Sequence, residues 1–186
     1  MEVHPDFDIP WCKDLLNPNI EIVEVRESEN NGGLARTGKL DGRIFNSMFA
    51  QTLYTPTAIR AQLDFKRPAT EHDAITSQEY CYLLSVGTGV DGLKGRAHGG
   101  FNALILDQLT GWVASQVSGT FAPATATMTV DYKAPIDTPG VVLCRGWPVE
   151  SSGRKTWVKA RLEDGTGRVL AEGKALFISP RQGGKL

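Results

Sequence analysis

Between residues 101 and 117 apolar side chains recur at helical spacing, and nowhere else after the first few dozen residues do they do so for long. At about 100° per residue, Phe101, Leu104, Ile105 and Trp112 share one side of the predicted helix. Asn102, Leu106, Leu109 and Val113 lie about a third of a turn away. Two such stripes leave little circumference for water and predict a helix wrapped by other structure. The remaining arc holds Ala103, Asp107, Thr110, Gly111 and Ala114, so one carboxylate stands on a stripe of small residues.

Downstream of the helix the chain reads as strand and turn. Residues 124–132, 141–149, 156–162 and 169–178 read as strands, separated by the turn chemistry of Ala134-Pro-Ile-Asp-Thr-Pro-Gly, Glu150-Ser-Ser-Gly-Arg and Glu163-Asp-Gly-Thr-Gly. Polar and apolar residues alternate strictly in 125–132, which predicts a face that is wet or lines a site. Upstream, residues 8–16 predict a short helix entered at Pro10, and residues 20–26 a strand followed by a Glu29-Asn-Asn-Gly-Gly turn or loop. Residues 43–50 and 59–66 alternate as strands, with Pro56 and Pro68 limiting their pairing. Residues 71–78 suit a short helix or a loop, and 80–86 the next strand. A helix followed by a meander predicts an α+β domain with an antiparallel sheet. The expected division is an N-terminal arm over 1–42, a domain over 43–180 built on a central helix at about 100–117, and a tail over 181–186.

Composition narrows the functional classes. The 186 residues fit one domain with an arm, and the net charge of −1, without like-charge blocks, gives no footprint for nucleic acid. No apolar window approaches the roughly 18 residues of a membrane span. The first ten residues hold three acids, two prolines and no apolar core of a secretory signal, so a cytoplasmic location is expected. Gly184-Lys-Leu is only weakly similar to the Ser-Lys-Leu peroxisomal address. Cys12, Cys81 and Cys144 show no metal or disulfide spacing, and His4, His72 and His98 form no ligand pair, so neither metal nor other cofactor is expected. Gly87-Thr-Gly-Val-Asp-Gly matches a dinucleotide fingerprint literally, yet Leu93-Lys-Gly-Arg-Ala-His-Gly-Gly cannot open the helix it needs. There is no Gly-x-Ser-x-Gly elbow.

Asp107 then carries the question. A carboxylate beside an apolar core costs free energy unless it is hydrogen-bonded or neutral, and both a structural and a chemical role fit. His98-Gly99-Gly100 at the helix start leaves amide N–H groups unpaired at the positive end of the helix dipole. Such donors can hold a thioester carbonyl and its oxyanion, an effect of about 2.7–4 kcal/mol per donor.

The run His98-Gly-Gly-x6-Asp107, Ala124-Thr-Ala-Thr-Met-Thr-Val-Asp-Tyr-Lys-Ala-Pro-Ile, Ser152-Gly-Arg-Lys and Ala171-Glu-Gly-Lys-Ala resembles the PaaI-like branch of hotdog-fold acyl-CoA thioesterases. The similarity spans about 78–178, and the Trp11-Cys-x-x-Leu-Leu arm resembles small fungal members of the group. The resemblance implies a hotdog fold, an antiparallel sheet wrapped around the central helix, and a homodimer or dimer of dimers with sites between subunits. It implies that Gly99 polarises the thioester carbonyl, assisted by Gly100, that Asp107 acts as general base or nucleophile, and that Thr125 orients water or carboxylate. His98 matches the motif histidine. Ser152, Gly153, Arg154 and Lys155 match a loop that lies near the CoA nucleotide in relatives; as a bare sequence they equally fit a solvated turn. Many relatives place an Asn or Gln shortly before the His-Gly-Gly; here Asp91 and Arg96 are the nearest polar residues. The expected substrate is an acyl thioester of CoA or an acyl carrier, fatty or polyketide-like. Dehydration, isomerisation or cyclisation of a polyketide-like intermediate, and non-catalytic binding by a dimer, stay open as alternatives.

Overall fold

The computed structural model describes residues 3–16, 20–27, 39–40, 43–44 and 46–181. In chain order its elements are α1 (Pro10–Leu15), β1 (Glu21–Glu27), a two-residue pair β2 (Lys39–Leu40) and β3 (Arg43–Ile44), β4 (Ile59–Pro68) and β5 (Gln78–Val86). A short hairpin follows, β6 (Asp91–Leu93) and β7 (Arg96–Ala97), and leads into α2 (Gly99–Ser118). The chain finishes with β8 (Ala124–Tyr132), β9 (Gly140–Ser152), β10 (Lys155–Glu163) and β11 (Val169–Ile178). Seven strands make one sheet in the order β1-β4-β5-β9-β10-β11-β8, with every neighbouring pair antiparallel. The four strands expected after the helix are present, as is the helix itself.

The sheet curls around α2. Phe101, Asn102, Ile105, Leu106, Leu109, Thr110, Val113 and Ala114 form its buried stripe. They meet the inward residues of β5, β9, β10 and β11, among them Tyr82, Leu84, Val142, Cys144, Val158, Ala160 and Phe177. Leu106 and Leu109 are completely buried, which contributes about 1.5–3 kcal/mol each. Contact is close because β9 offers no side chain at Gly146, where a Cβ would lie 3.2 Å from Leu109. The helix stops at Gly119, whose φ of +65° only glycine adopts without strain.

All-round burial of α2, expected from its two stripes, is not what a single chain shows. One sheet covers one side; Ala103, Leu104, Asp107, Gln108, Gly111 and Trp112 are only half-buried. Segment 43–50 also departs from the expected strand. After β3 the chain turns at Asn46, with φ +56°, and runs as a π-helical turn over Met48–Leu53 that sends Phe49 into the core. Residues 71–78 are loop up to Gln78, where β5 begins.

The outward face of the sheet is covered as well. Strand β1 adds to the edge of β4, and Phe7 and Cys12 pack with Ala61, Leu63, Phe65, Cys81 and Leu83 in a second apolar cluster. All three cysteines are buried and free, and burial pushes the Cys12 thiol up to about 12. Further along this face Arg145 bridges Glu79 at 2.7 Å, Glu71 at 3.0 Å and Glu163 at 3.2 Å. Loop residue Asp73 accepts from Trp147 and Lys159. Burial alone would raise the Asp73 carboxyl, but these two bonds outweigh it and hold the group below its usual range. The stability Asp73 contributes is therefore complete above the ordinary carboxylate range and is lost as pH falls through its depressed value.

The expected Glu29 to Gly33 turn, and residues 182–186 with the terminal Gly-Lys-Leu, lie outside the described residues. No helix among the described residues is long and apolar enough to cross a membrane.

Arg145→Met removes one of two cations that hold Glu79, itself without exposed surface, and leaves it Arg67 at 2.6 Å. It is expected to lower stability in denaturant unfolding, by less than the roughly 3–5 kcal/mol that follows when a buried charge loses every partner.

Candidate active site

Three pieces of chain shape the start of α2. The Asp91 carboxylate accepts from the Gly95 N–H at 2.9 Å and from the Thr138 hydroxyl, closing the hairpin before the helix. The Ala97 N–H donates to the Ile136 carbonyl and the His98 N–H to the Val90 carbonyl, which sets His98 at the helix N-cap. There its Nδ1 accepts from the Gly100 N–H at 2.8 Å. A Cβ on residue 100 would sit 2.9 Å from that Nδ1, so the cap requires glycine. His98 is thus a structural acceptor that uses up the Gly100 N–H. The Gly99 N–H makes no hydrogen bond among the described residues, while its carbonyl accepts from the Tyr132 hydroxyl at 3.1 Å. Of the two glycine donors expected from the motif, Gly99 is the one available.

Asp107 stands two helical turns further on, half-buried, with Oδ1 accepting from the Thr125 hydroxyl at 2.9 Å. Strict alternation along β8 would put Thr125 on the same face as Thr127, pointing away from α2. The register prevents this: Thr127 pairs with Leu176 and Thr125 with Phe177, so Ala126 is an extra residue in a β-bulge. The bulge turns Thr125 to the helix side, a use of the irregularity common beside functional sites. Asp107 and Thr125 open onto a cavity of about 670 Å³ that runs along α2 as far as Gly119. Its wall includes Trp112, stacked on Tyr82 with ring centroids 5.4 Å apart and planes 3° from parallel. Asn46 and Gln108 also line it, joined by a 2.9 Å bond from the Asn46 amide to Gln108 Oε1.

Ser152, Gly153, Arg154 and Lys155 form the exposed turn between β9 and β10, with Gly153 at φ +56°. The register places this turn at the site's end of the sheet. Thr125 pairs with Phe177 and Phe177 with Thr156, so the turn lies roughly 10 Å, two strand spacings, from Thr125. Arg96 is exposed beside the helix start, and its backbone bridges to Asp137. A second cavity, about 550 Å³, lies on the opposite face of the sheet among Trp147, Trp157, Lys159 and Lys174. None of the site residues expected from the sequence, from Asp91 to Lys155, borders it.

Sequence reasoning reached Asp107, Thr125, His98 and the glycines through the motif. It missed Tyr82, Tyr132, Asn46 and Gln108. Tyr82 reads as an ordinary core strand residue, and Asn46 reaches the cavity only because the expected strand over 43–50 is broken. For Gln108 a signal existed in its place next to Asp107, outside both apolar stripes.

Comparison with known proteins finds thioesterases similar to part of the chain. Residues 94–171 match the model of the thioesterase superfamily. The acyl-coenzyme A thioesterase THEM4 of Xenopus laevis is 34% identical over 97 residues, which cover 52% of this chain and 43% of that protein. The match therefore spans less than half the length of this curated relative. Among solved structures, a thioesterase superfamily protein aligns at 26% identity and a TM-score of 0.50, covering 54% of this chain and 51% of its own. Thioesterase superfamily member 2 of zebra fish aligns at 13% identity and a TM-score of 0.52, over 62% and 81% of the two chains. A Streptococcus mutans protein solved with acetyl CoA aligns at 19% and 0.51, over 55% and 81%. At such identities the last two show a shared fold.

His98→Ala removes the acceptor for the Gly100 N–H and is expected to cost about 1 kcal/mol of stability. His98→Asn, which can cap in the same way, should restore most of it in the same unfolding assay.

Proposed function

We propose that this chain, whose residues 94–171 match the thioesterase superfamily, hydrolyses an acyl thioester of CoA or of an acyl carrier. The observation that carries this reading is a half-buried carboxylate, Asp107, held by Thr125 on the wall of a cavity of about 670 Å³. In this reading Asp107 acts as general base toward water and the Thr125 hydroxyl fixes the carboxylate's orientation. The Gly99 N–H, at the positive end of the α2 dipole, stabilises the oxyanion that forms on the thioester carbonyl. Arg154 and Lys155 offer cations to the phosphates of the carrier.

Geometry also implies two chains per site. Gly99 and Asp107 are separated by eight residues of one straight helix, about 12 Å at 1.5 Å per residue. An oxyanion donor must come within about 2.7–3.1 Å of the oxygen, and attack occurs at about 3–3.5 Å from the carbon. One copy of α2 cannot serve both ends of a single carbonyl. Two antiparallel copies related by a twofold axis can, with Gly99 of one facing Asp107 of the other. The exposed parts of Leu104 and Trp112, and the outer edge of β8, which pairs with no strand among the described residues, are surfaces such a homodimer would bury.

Asp107→Asn keeps an acceptor for Thr125 but no longer takes a proton. Release of free thiol from a panel of acyl-CoAs should fall by about 10²–10⁴ in kcat, with folding unchanged. Unchanged turnover would remove Asp107 from the reaction. Conversion of a non-thioester ligand without thiol release would instead favour a dehydratase, isomerase or cyclase.

A further inference from the structure

Strand β8 brings a hydroxyl to each end of the Gly99–Asp107 stretch of α2. Thr125 meets Asp107, and Tyr132, the last residue of the strand, donates to the Gly99 carbonyl at 3.1 Å. Tyr132 stands seven positions after Thr125, so unbroken alternation would set the two on opposite faces of the sheet. The bulge at Ala126 removes the mismatch. Met128 and Val130 pack on the helix-side core, Tyr132 continues their face, and Thr125 joins it through the extra residue.

Neither packing nor hydrogen-bond accounting requires this tyrosine contact. Tyr132 keeps 55% of its surface exposed, and the carbonyl of a helix's first residue already accepts from the helical ladder. Instead it braces a turn that lacks side chains. Gly99 and Gly100 open α2, helix ends fray, and glycine has the widest backbone freedom of any residue. The peptide between the two glycines is gripped from both sides: its N–H donates to His98 Nδ1 at 2.8 Å and its carbonyl accepts from Tyr132 at 3.1 Å. The Tyr132 ring also lies on Gly99, 3.4 Å from where a Cβ would stand. The preceding peptide, which carries the Gly99 N–H, is held through the His98 carbonyl, which accepts from Phe101 at 2.9 Å and from Asn102 at 3.2 Å. Both peptides flanking Gly99 are thus fixed before any substrate arrives, and an oxyanion donor owes its effect to such preorganisation. We propose that Tyr132 is a positioning residue for the oxyanion donor, keeping the Gly99 N–H aimed at the thioester carbonyl without touching the substrate. This rests on the hydrolase reading of Gly99 and adds a residue to it.

Tyr132→Phe keeps the ring on Gly99 and deletes the bond. Losing an oxyanion donor outright costs about 10²–10³ in kcat, and loosening one should cost part of that, about tenfold, with KM unchanged. Affinity for an S-alkyl-CoA thioether, which has no carbonyl, should match that of the native protein in calorimetric titration. In NMR relaxation the Gly99 amide should move from the rigid range, an order parameter of about 0.85, toward the flexible range below about 0.6. A kcat equal to that of the native protein, a loss confined to KM and thioether affinity, or a Gly99 amide as rigid as before overturns the proposal and leaves hydrolysis standing. If the native protein cleaves no thioester, the hydrolase reading falls by itself and the relaxation measurement decides. Loosening of Gly99 in Tyr132→Phe then supports the brace, and an unchanged order parameter overturns it.

Discussion

The seating of α2 against the sheet governs the rest of the molecule. Its buried stripe from Phe101 to Ala114 locks onto a surface that comes close enough only because β9 carries Gly146 where a larger residue would stand. Once the helix is fixed in rotation, its exposed side is fixed too. Asp107 and Gln108 must face the groove, because Leu106 and Leu109 cannot leave the core without losing about 1.5–3 kcal/mol each. Fixing the axis also sets the separation of Gly99 from Asp107, which a rigid helix does not let the chain adjust. The proposed two-chain site is a consequence of that rigidity.

Two local devices then complete the surroundings. At the helix start, Asp91 and Thr138 tie down the hairpin that delivers His98 to the N-cap, and His98 in turn occupies the Gly100 N–H. The effect is to leave one amide, that of Gly99, without a hydrogen bond among the described residues. At the other end, the bulge at Ala126 rotates Thr125 across the sheet to meet Asp107. Both devices involve residues that carry no proton in the proposed reaction, and both decide where the reacting groups point.

Much of this was legible in the amino-acid sequence, for physical reasons that differ by element. Strand β8 alternates strictly, and turn residues separate β8 to β11 from one another, so these strands announce themselves. Helix α2 could be read from its spacing, but burial on all sides could not be delivered by one sheet, and the half-covered side became visible only with the fold. The bulge at Ala126 was hidden because alternation in the sequence stays perfect through it; only the pairing with β11 shows that two residues oppose one. Asn46 was hidden because 43–50 reads as a strand, although its apolar residues fall in adjacent pairs around Asn46-Ser47 and the chain there turns at a positive φ. Asp91 stood out as polar and near the motif, and the structure engages both of its oxygens in holding the loop. Trp112 and Tyr82 are far apart in sequence, and nothing local foretells that they stack.

A mixing experiment tests the two-chain site most directly. Gly99 is the first residue of α2, and His98 before it is extended at φ −62° and ψ 138°, so Gly99→Pro suits the backbone while deleting the N–H. Gly99→Pro and Asp107→Asn should each abolish thiol release alone. Co-expressed with separate tags, they form mixed dimers in which one site keeps both an intact Gly99 and an intact Asp107. Thiol release in the mixture should then return to about a quarter of the native value, the statistical share for a twofold dimer. A mixture that forms mixed dimers yet stays as inactive as its parents would contradict a site shared between two copies of α2.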